Sequence, residues 1–297
     1  MDLKKHVYRQ VFKRKLNEGF TDEGRPDLKY YAFDWDDNIV FMPTKIILLN
    51  DKEDEIGMST EDFAEHRHQI GVEPFNYKGT KIIDFAPDSF RNFGTKGDHK
   101  FIIDSMVASP GPSWNDFVEC INGGSIFAII TARGHNPETL KEAIYNMILA
   151  NHNGINSRTL IENLKKYREL ESETIQENKI KLEFKDSDLI EEYLDLCKYH
   201  PVTFGEGSAT NPEKGKIKAM RQFISYCREM AKEVERLTGT SEKPQFKNDV
   251  ANNEPMIGFS DDDLRNVEKM SEFLKQEYEK NPVNLILTKG GEKVKYS

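Results

Sequence analysis

Two carboxylates one residue apart, Asp34 and Asp36, close a short apolar run from Lys29 to Phe33. A buried parallel strand ends at its carboxyl edge in this way, and an Asp-x-Asp there projects both side chains into the crevice where open α/β sheets bind ligands. One carboxylate can attack phosphorus and carry it as an aspartyl-phosphate. The other can give a proton to the leaving oxygen and later take one from water. Asp also suits turns, and an acidic chain produces this pair by chance, so the spacing alone decides nothing.

Three further stretches carry compatible chemistry. Ile129-Ile130-Thr131-Ala132-Arg133-Gly134 is again an apolar run entering a polar turn. The Thr131 hydroxyl and the backbone N–H groups from Ala132 onward suit a phosphate oxygen, and Arg133 is a candidate for contact with a substrate; alternatively Thr131 ends a strand and Arg133 is a surface charge. Asn211-Pro212-Glu213 has the form of a helix start, with Lys214 in the first turn, where an ammonium can stabilise charge developing on a phosphoryl group. Lys216 and Lys218 compete for that role, and Lys214 is preferred for its nearness to the helix start. Met256 to Phe259 runs through Ser260 into Asp261, Asp262 and Asp263. Three adjacent acids repel one another unless a cation relieves them, and carboxylates completed by water and phosphate oxygens are what magnesium takes. The same acids suit the cap of a helix from Leu264 to Lys280, and both uses are compatible.

In this order, strand plus Asp-x-Asp, strand plus Thr, helix-borne Lys and strand plus paired acids, the chain resembles the haloacid dehalogenase superfamily from about Lys29 to Thr288. The phrase around Asp34 also resembles uncharacterised members encoded by tailed bacteriophages. The resemblance implies that Asp34 is the nucleophile and a metal ligand. It implies that Asp36 is the general acid and base and lends its backbone carbonyl to the metal. Thr131, Ala132 and Lys214 would hold the phosphoryl group, and Asp261 with Asp262 would complete a Mg2+ site. An acid at position 36 is similar to the phosphatases of that superfamily, not the dehalogenases. Asn38 departs from the family's usual Thr or Val, and Arg265 stands where one variant of the last motif has an acid, which leaves Asp262 to serve.

The elements that must position these groups follow from hydrophobic patterning. Short runs at Lys29 to Phe33, Ser125 to Ile130, Pro201 to Phe204, Met256 to Phe259 and Val283 to Thr288 predict five strands, with helices starting at Asn136 and Asn211 between them. Alternation of this kind predicts an α/β fold with a doubly wound, Rossmann-like parallel sheet, helices on both faces and an inserted cap. The expected division is a helix and linker over 1–28, a core of 29–40 with 123–297, and a cap over 41–122. The long interval 153–199 is a helical insertion that could share the cap's role. Within the cap, Lys45 to Leu49 reads as strand and Ser59 to Ile70 as helix. Thr238 to Glu254 reads as a loop.

Composition narrows the functions. The 297 residues are 37% hydrophobic and 31% charged, which predicts an ordered globular protein with a charged surface. No apolar run approaches the roughly 18 residues needed to span a bilayer, and the basic N-terminal stretch lacks the apolar segment of a secretory signal. Three cysteines, Cys120, Cys197 and Cys227, fit neither a disulfide framework nor a zinc spacing, so a reducing cytoplasm is expected. A net charge of −9 argues against general nucleic-acid binding. Gly215-Lys216 lacks the earlier glycine and the following Ser or Thr of a P-loop. His66 and His68 lie on different helix faces and do not pair on a metal. His135 reads as a loop histidine, and Trp35 as either core or a stacking surface.

The expected function is a Mg2+-dependent phosphate monoester hydrolase acting on a nucleotide, a polynucleotide end or a small phosphorylated metabolite. A polynucleotide end would need a basic groove, for which Arg91, Lys96, Lys100 and the N-terminal helix are the candidates. The alternative is a catalytically weak or inactive binding protein on the same fold.

Overall fold

The computed structural model describes residues 29–165, 185–203, 211–237, 256–279, 281–289 and 292–296. The expected N-terminal helix and linker and the loop Thr238 to Glu254 lie outside these residues. In chain order the strands are β1 (Lys29–Phe33), β2 (Val40–Phe41), β3 (Ile46–Asn50), β4 (Glu55–Met58), β5 (Phe75–Tyr77), β6 (Thr80–Phe85), β7 (Ser109–Pro110), β8 (Phe127–Thr131), β9 (Lys198–Pro201), β10 (Met256–Asp261), β11 (Val283–Lys289) and β12 (Glu292–Tyr296). The helices are α1 (Thr60–His66), α2 (Asp98–Val107), α3 (Trp114–Asn122), α4 (Pro137–Leu149), α5 (Asp186–Leu196), α6 (Pro212–Leu237) and α7 (Leu264–Glu277), with a further helical stretch at 157–165.

The chain is a mixed α/β fold around a mostly parallel six-stranded sheet of order β12-β11-β10-β1-β8-β9. Only β12 runs antiparallel, against β11, and the sequence reading did not contain it. Ile126 to Ile130 are entirely buried, which is why β8 is a continuous apolar run and does not alternate. Each such Ile or Phe withdrawn from water contributes roughly 1.5–3 kcal/mol. The third expected strand lies three residues earlier than Pro201 to Phe204. Parallel pairing of Ala128 to Thr131 with Lys198 to Pro201 sets that register, and Phe204 itself is outside the described residues.

Helix starts follow local chemistry. Asn136 caps α4 by accepting from the Glu138 N–H, with Pro137 next, and Asp263 caps α7 by accepting from Arg265. Ser59 caps α1 in the same way, but α1 stops at His66, short of the expected Ile70, because a turn follows and ends in Gly71 at φ +75°.

The interval 41–122, expected as one cap, divides between two cores. Strands β3 to β6 form a separate antiparallel sheet of order β4-β3-β6-β5, with a core of its own made of Ile46, Leu48, Met58, Ile70, Tyr77 and Ile82. In contrast Phe101, Trp114, Phe117, Cys120 and Ile121, on α2 and α3, belong to the main core. The interval 153–199 is likewise no second cap along α5, whose Leu189, Ile190, Tyr193 and Leu194 are buried in that core. The three cysteines are buried free thiols, and no described helix is long and apolar enough to cross a membrane.

Candidate active site

Three neighbouring strands bring the sequence motifs together. In register Phe33 lies beside Ser260 of β10 on one side and Ile129 of β8 on the other, so Asp34, Asp261 and Thr131 leave the sheet at the same edge. Strands about 4.8 Å apart place residues from distant parts of the chain within contact, a convergence that parallel order alone supplies. Asp34 is tied in by its N–H to the Ser260 carbonyl at 2.9 Å.

Asn38 locks this edge. Its Nδ2 donates to the Asp34 and Ser260 carbonyls at 3.0 and 3.1 Å and to Ser260 Oγ at 2.9 Å. Its Oδ1 accepts from Ser113 and Thr288 hydroxyls, each at 2.9 Å. The side chain that departed from the family pattern therefore stitches four segments together around the nucleophile candidate.

The lysine at the site is Lys216, where Lys214 was expected. Lys214 is exposed, and only its backbone N–H takes part, donating to the Asn211 side chain that caps α6. Lys216 is buried, with Nζ 2.9 Å from Asp34 Oδ2 and 2.7 Å from Asp261 Oδ2. Gly215 permits the approach, since a Cβ there would stand 2.7 Å from Val202 Cβ. The signal lay in the periodicity of α6. The buried residues Ala219, Met220, Phe223, Ile224 and Cys227 form a stripe that, carried one turn back, lands on 216 and misses 214.

Electrostatics at the cluster are out of balance. Asp34, Asp261 and Asp262 offer carboxylate oxygens that all lie within 4.8 Å of one another, against the single Lys216 ammonium. Burial pushes Asp34 up to about 7, with Asp261 and Asp36 adding and Lys216 opposing. Burial, then Asp261 and Asp34, raises Asp262 well above the carboxylate range. Burial alone would lower Lys216, but Asp261 and Asp34 raise it. Asp34 Oδ1 is buried without a hydrogen-bond partner among the described residues. Asp261 is held on both oxygens: Oδ1 accepts from Asn266 and from the Asp263 N–H, and Oδ2, which keeps a second lone pair, from Lys216. Three carboxylates facing one ammonium leave two formal negative charges, a balance that a divalent cation would restore.

Asp36 and Arg133 hold each other, and Arg133 is no surface charge. The Arg133 guanidinium grips Asp36 bidentately, Nε to Oδ2 and Nη2 to Oδ1, both at 2.7 Å. Arg133 is buried between the rings of Phe93 and Phe101, 4.6 and 5.1 Å from their centroids. Its Nη1 faces His135 Nε2 at 3.2 Å, and His135 Nδ1 faces Asp98 at 2.9 Å. Because Arg133 can only donate, Nε2 is the acceptor and Nδ1–H points to Asp98. Burial, then Arg133, holds His135 below the usual histidine range. His135 is thus buried behind Arg133 and does not line the cavity, and Trp35, packed on Phe101 and Phe117, is core.

These groups open on one cavity of about 720 Å3. Its floor includes Asp34, Asp36, Asp37, Thr131, Ala132, Lys216 and Asp262, and its roof is supplied by the cap through Ile46, Thr60, Phe63, Ala64, Arg67, Phe90 and Phe93. Compared with protein-family models, with curated proteins and with solved structures, the chain matches none. The cap's part in the cavity was missed from the sequence, as no motif marks it. Arg67 bridges from the cap to Glu213 and Asp263 at 3.5 and 3.3 Å. Of the candidates for a basic groove, the described ones each face an acid, Arg91 with Glu55, Lys96 with Asp88 and Lys100 with Asp104, and the N-terminal helix lies outside the described residues.

Proposed function

We propose that the chain is a magnesium-dependent phosphate monoester hydrolase of the haloacid dehalogenase type, with a doubly wound core and an aspartyl-phosphate formed on Asp34. The observation that carries this reading is Asp34 itself. One of its oxygens is held by Lys216 and the other is buried and unpartnered among the described residues, on a residue that lines the cavity. A carboxylate oriented this way attacks phosphorus through Oδ1, and the ester P–O bond breaks as the leaving oxygen takes a proton. Water then attacks the phosphorus of the acyl phosphate, gives up a proton and frees Asp34. Lys216 neutralises the nucleophile's second oxygen and the phosphoryl group that comes to sit beside it. The Thr131 hydroxyl and the turn after it serve as its hydrogen-bond cradle. A divalent cation held by Asp34, Asp261, Asp262 and the Asp36 carbonyl would supply charge neutralisation for the phosphoryl oxygens.

Release of inorganic phosphate from an aryl phosphate and a nucleotide panel, with and without magnesium, tests the reading with wild type and Asp34→Asn in parallel. Metal-dependent release that disappears in the variant is expected. Beryllium fluoride should raise the melting temperature only when magnesium is present. No release from any substrate would sink the proposal.

One observation favours the alternative of a weakly active binding protein. Asp36, the proton-transfer candidate, has both oxygens engaged by Arg133. If that clamp stays closed, both proton transfers lack their partner, so wild type would release phosphate only slowly from saturating aryl phosphate, where an efficient hydrolase releases it rapidly.

A further inference from the structure

The cavity has two chemically distinct ends. The floor carries the acids, Thr131 and Lys216, while the cap wall carries three phenylalanines, Phe63, Phe90 and Phe93. Phe90 pairs edge-to-face with Phe63 at 5.6 Å and with Phe93 at 5.9 Å. Phe93 in turn lies on the Arg133 guanidinium, so the aromatic surface runs without a break from the cap to the turn after β8. Yet Phe90 remains 42% exposed. A ring held by aromatic neighbours and left uncovered at a cavity wall lacks only a partner for that surface.

We propose that this wall selects monophosphate esters whose leaving group carries a planar heteroaromatic ring, namely free nucleoside monophosphates, with the base packed on Phe90. The proposal rests on the phosphatase reading for the other end of the same cavity. Three features bear on the class. The volume of about 720 Å3 is well beyond what a phosphate alone needs and within the range of small-molecule sites. The wall facing the leaving group is apolar and aromatic, with Phe63, Phe90 and Phe93 beside Ile46 and Ala64. A polynucleotide is disfavoured by the pairing of Arg91, Lys96 and Lys100 with acids.

The test is kcat/KM of the full chain with magnesium for adenosine monophosphate and uridine monophosphate against ribose 5-phosphate, beside calorimetric binding of the same compounds to Asp34→Asn. The nucleotides should exceed ribose 5-phosphate by roughly tenfold or more in both readouts, the scale of one base stacked on one ring. Phe90→Ala and the bulk-preserving Phe90→Leu should bring that ratio close to one, and Phe90→Tyr should keep it. Hydrolysis of all three compounds with no preference, or a preference indifferent to Phe90→Leu, overturns the selectivity and leaves the phosphatase reading standing. Absence of any hydrolysis with a nucleotide preference in binding that Phe90→Leu removes overturns the phosphatase reading and upholds the aromatic subsite. Neither hydrolysis nor preference overturns both.

Discussion

Lys216 at the strand ends and Lys78 in the cap each sit within 3 Å of an aspartate, yet the side chain of one is 2% exposed and that of the other 70%. The geometry is alike and the consequences are opposite. At the strand ends water cannot replace a missing partner, so removing one charge strands the others. In the cap Lys78 and Asp62 exchange protein for solvent at little cost, and salt screens what remains. The main sheet therefore holds charges that depend on one another, and the small sheet holds charges that serve mainly its surface. The difference fits the tasks proposed for them: the first would keep a reacting group in place, and the second would present a wall to a ligand.

The sharpest way to break this contrast is Lys216→Met. Loss of the ammonium leaves Asp34 and Asp261 buried without their cation, and a loss of about 3–5 kcal/mol in urea unfolding is expected. Magnesium should restore part of that stability. If Lys216→Met costs no more than Lys214→Met, expected within about 0.5 kcal/mol of wild type, the two regions do not differ as described.

Asn38→Ala is the next largest. It takes the Asn38 partner from the Ser113 and Thr288 hydroxyls and the Asp34 carbonyl and one of two donors from the Ser260 carbonyl, for a loss of roughly 2–3 kcal/mol in the same assay. Asn38→Asp keeps the acceptor but removes the donors and adds a charge beside Asp34, so it should fare no better.

Acid titration sharpens the comparison through a group away from the site. His200, on β9, is held at about 4 by burial and by Lys198. In the unfolded chain it binds a proton below the ordinary histidine value of 6.5, while in the folded protein it stays neutral until about 4. Above 6.5 it contributes no pH dependence. As pH falls from 6.5 towards 4 the unfolded state gains the proton first and stability drops, by at most roughly 1.4 kcal/mol per pH unit. Unfolding measured across that window should show a shallower slope in His200→Gln than in wild type, and equal slopes would contradict the buried neutral ring.

The smallest effect belongs to the cap. Lys78→Ala and Arg91→Ala should leave the melting temperature within replicate scatter, and the difference should vanish with added salt. A clear drop would mean that the cap's surface pairs are structural after all.

Strand ends were legible because a buried parallel strand must be apolar throughout and must stop where its backbone leaves the sheet. That is why Asp34, Thr131 and Asp261 could be picked out one motif at a time. Helix starts were legible for the same local reason, through Asn136 and Asp263 as caps. Lys216 was half legible: the apolar stripe of α6 pointed to it, but nearness to the helix start favoured Lys214. The boundary of the cap was not legible, because α2 and α3 carry the same apolar content whether they pack on a small sheet or on the main core.

By itself, then, the sequence determined the alternation of strands and helices, the identity of the acids and hydroxyl at the strand ends, and their order along the chain. Each is set by residues within a few positions of one another. Only the tertiary structure decided that Arg133 clamps Asp36, that Asn38 ties together segments up to 250 residues apart, and that Phe63, Phe90 and Phe93 line the same cavity. Those contacts join side chains with no local period between them. They depend on strand order and on where the cap comes to rest, and burial makes them specific only once the whole core has closed around them.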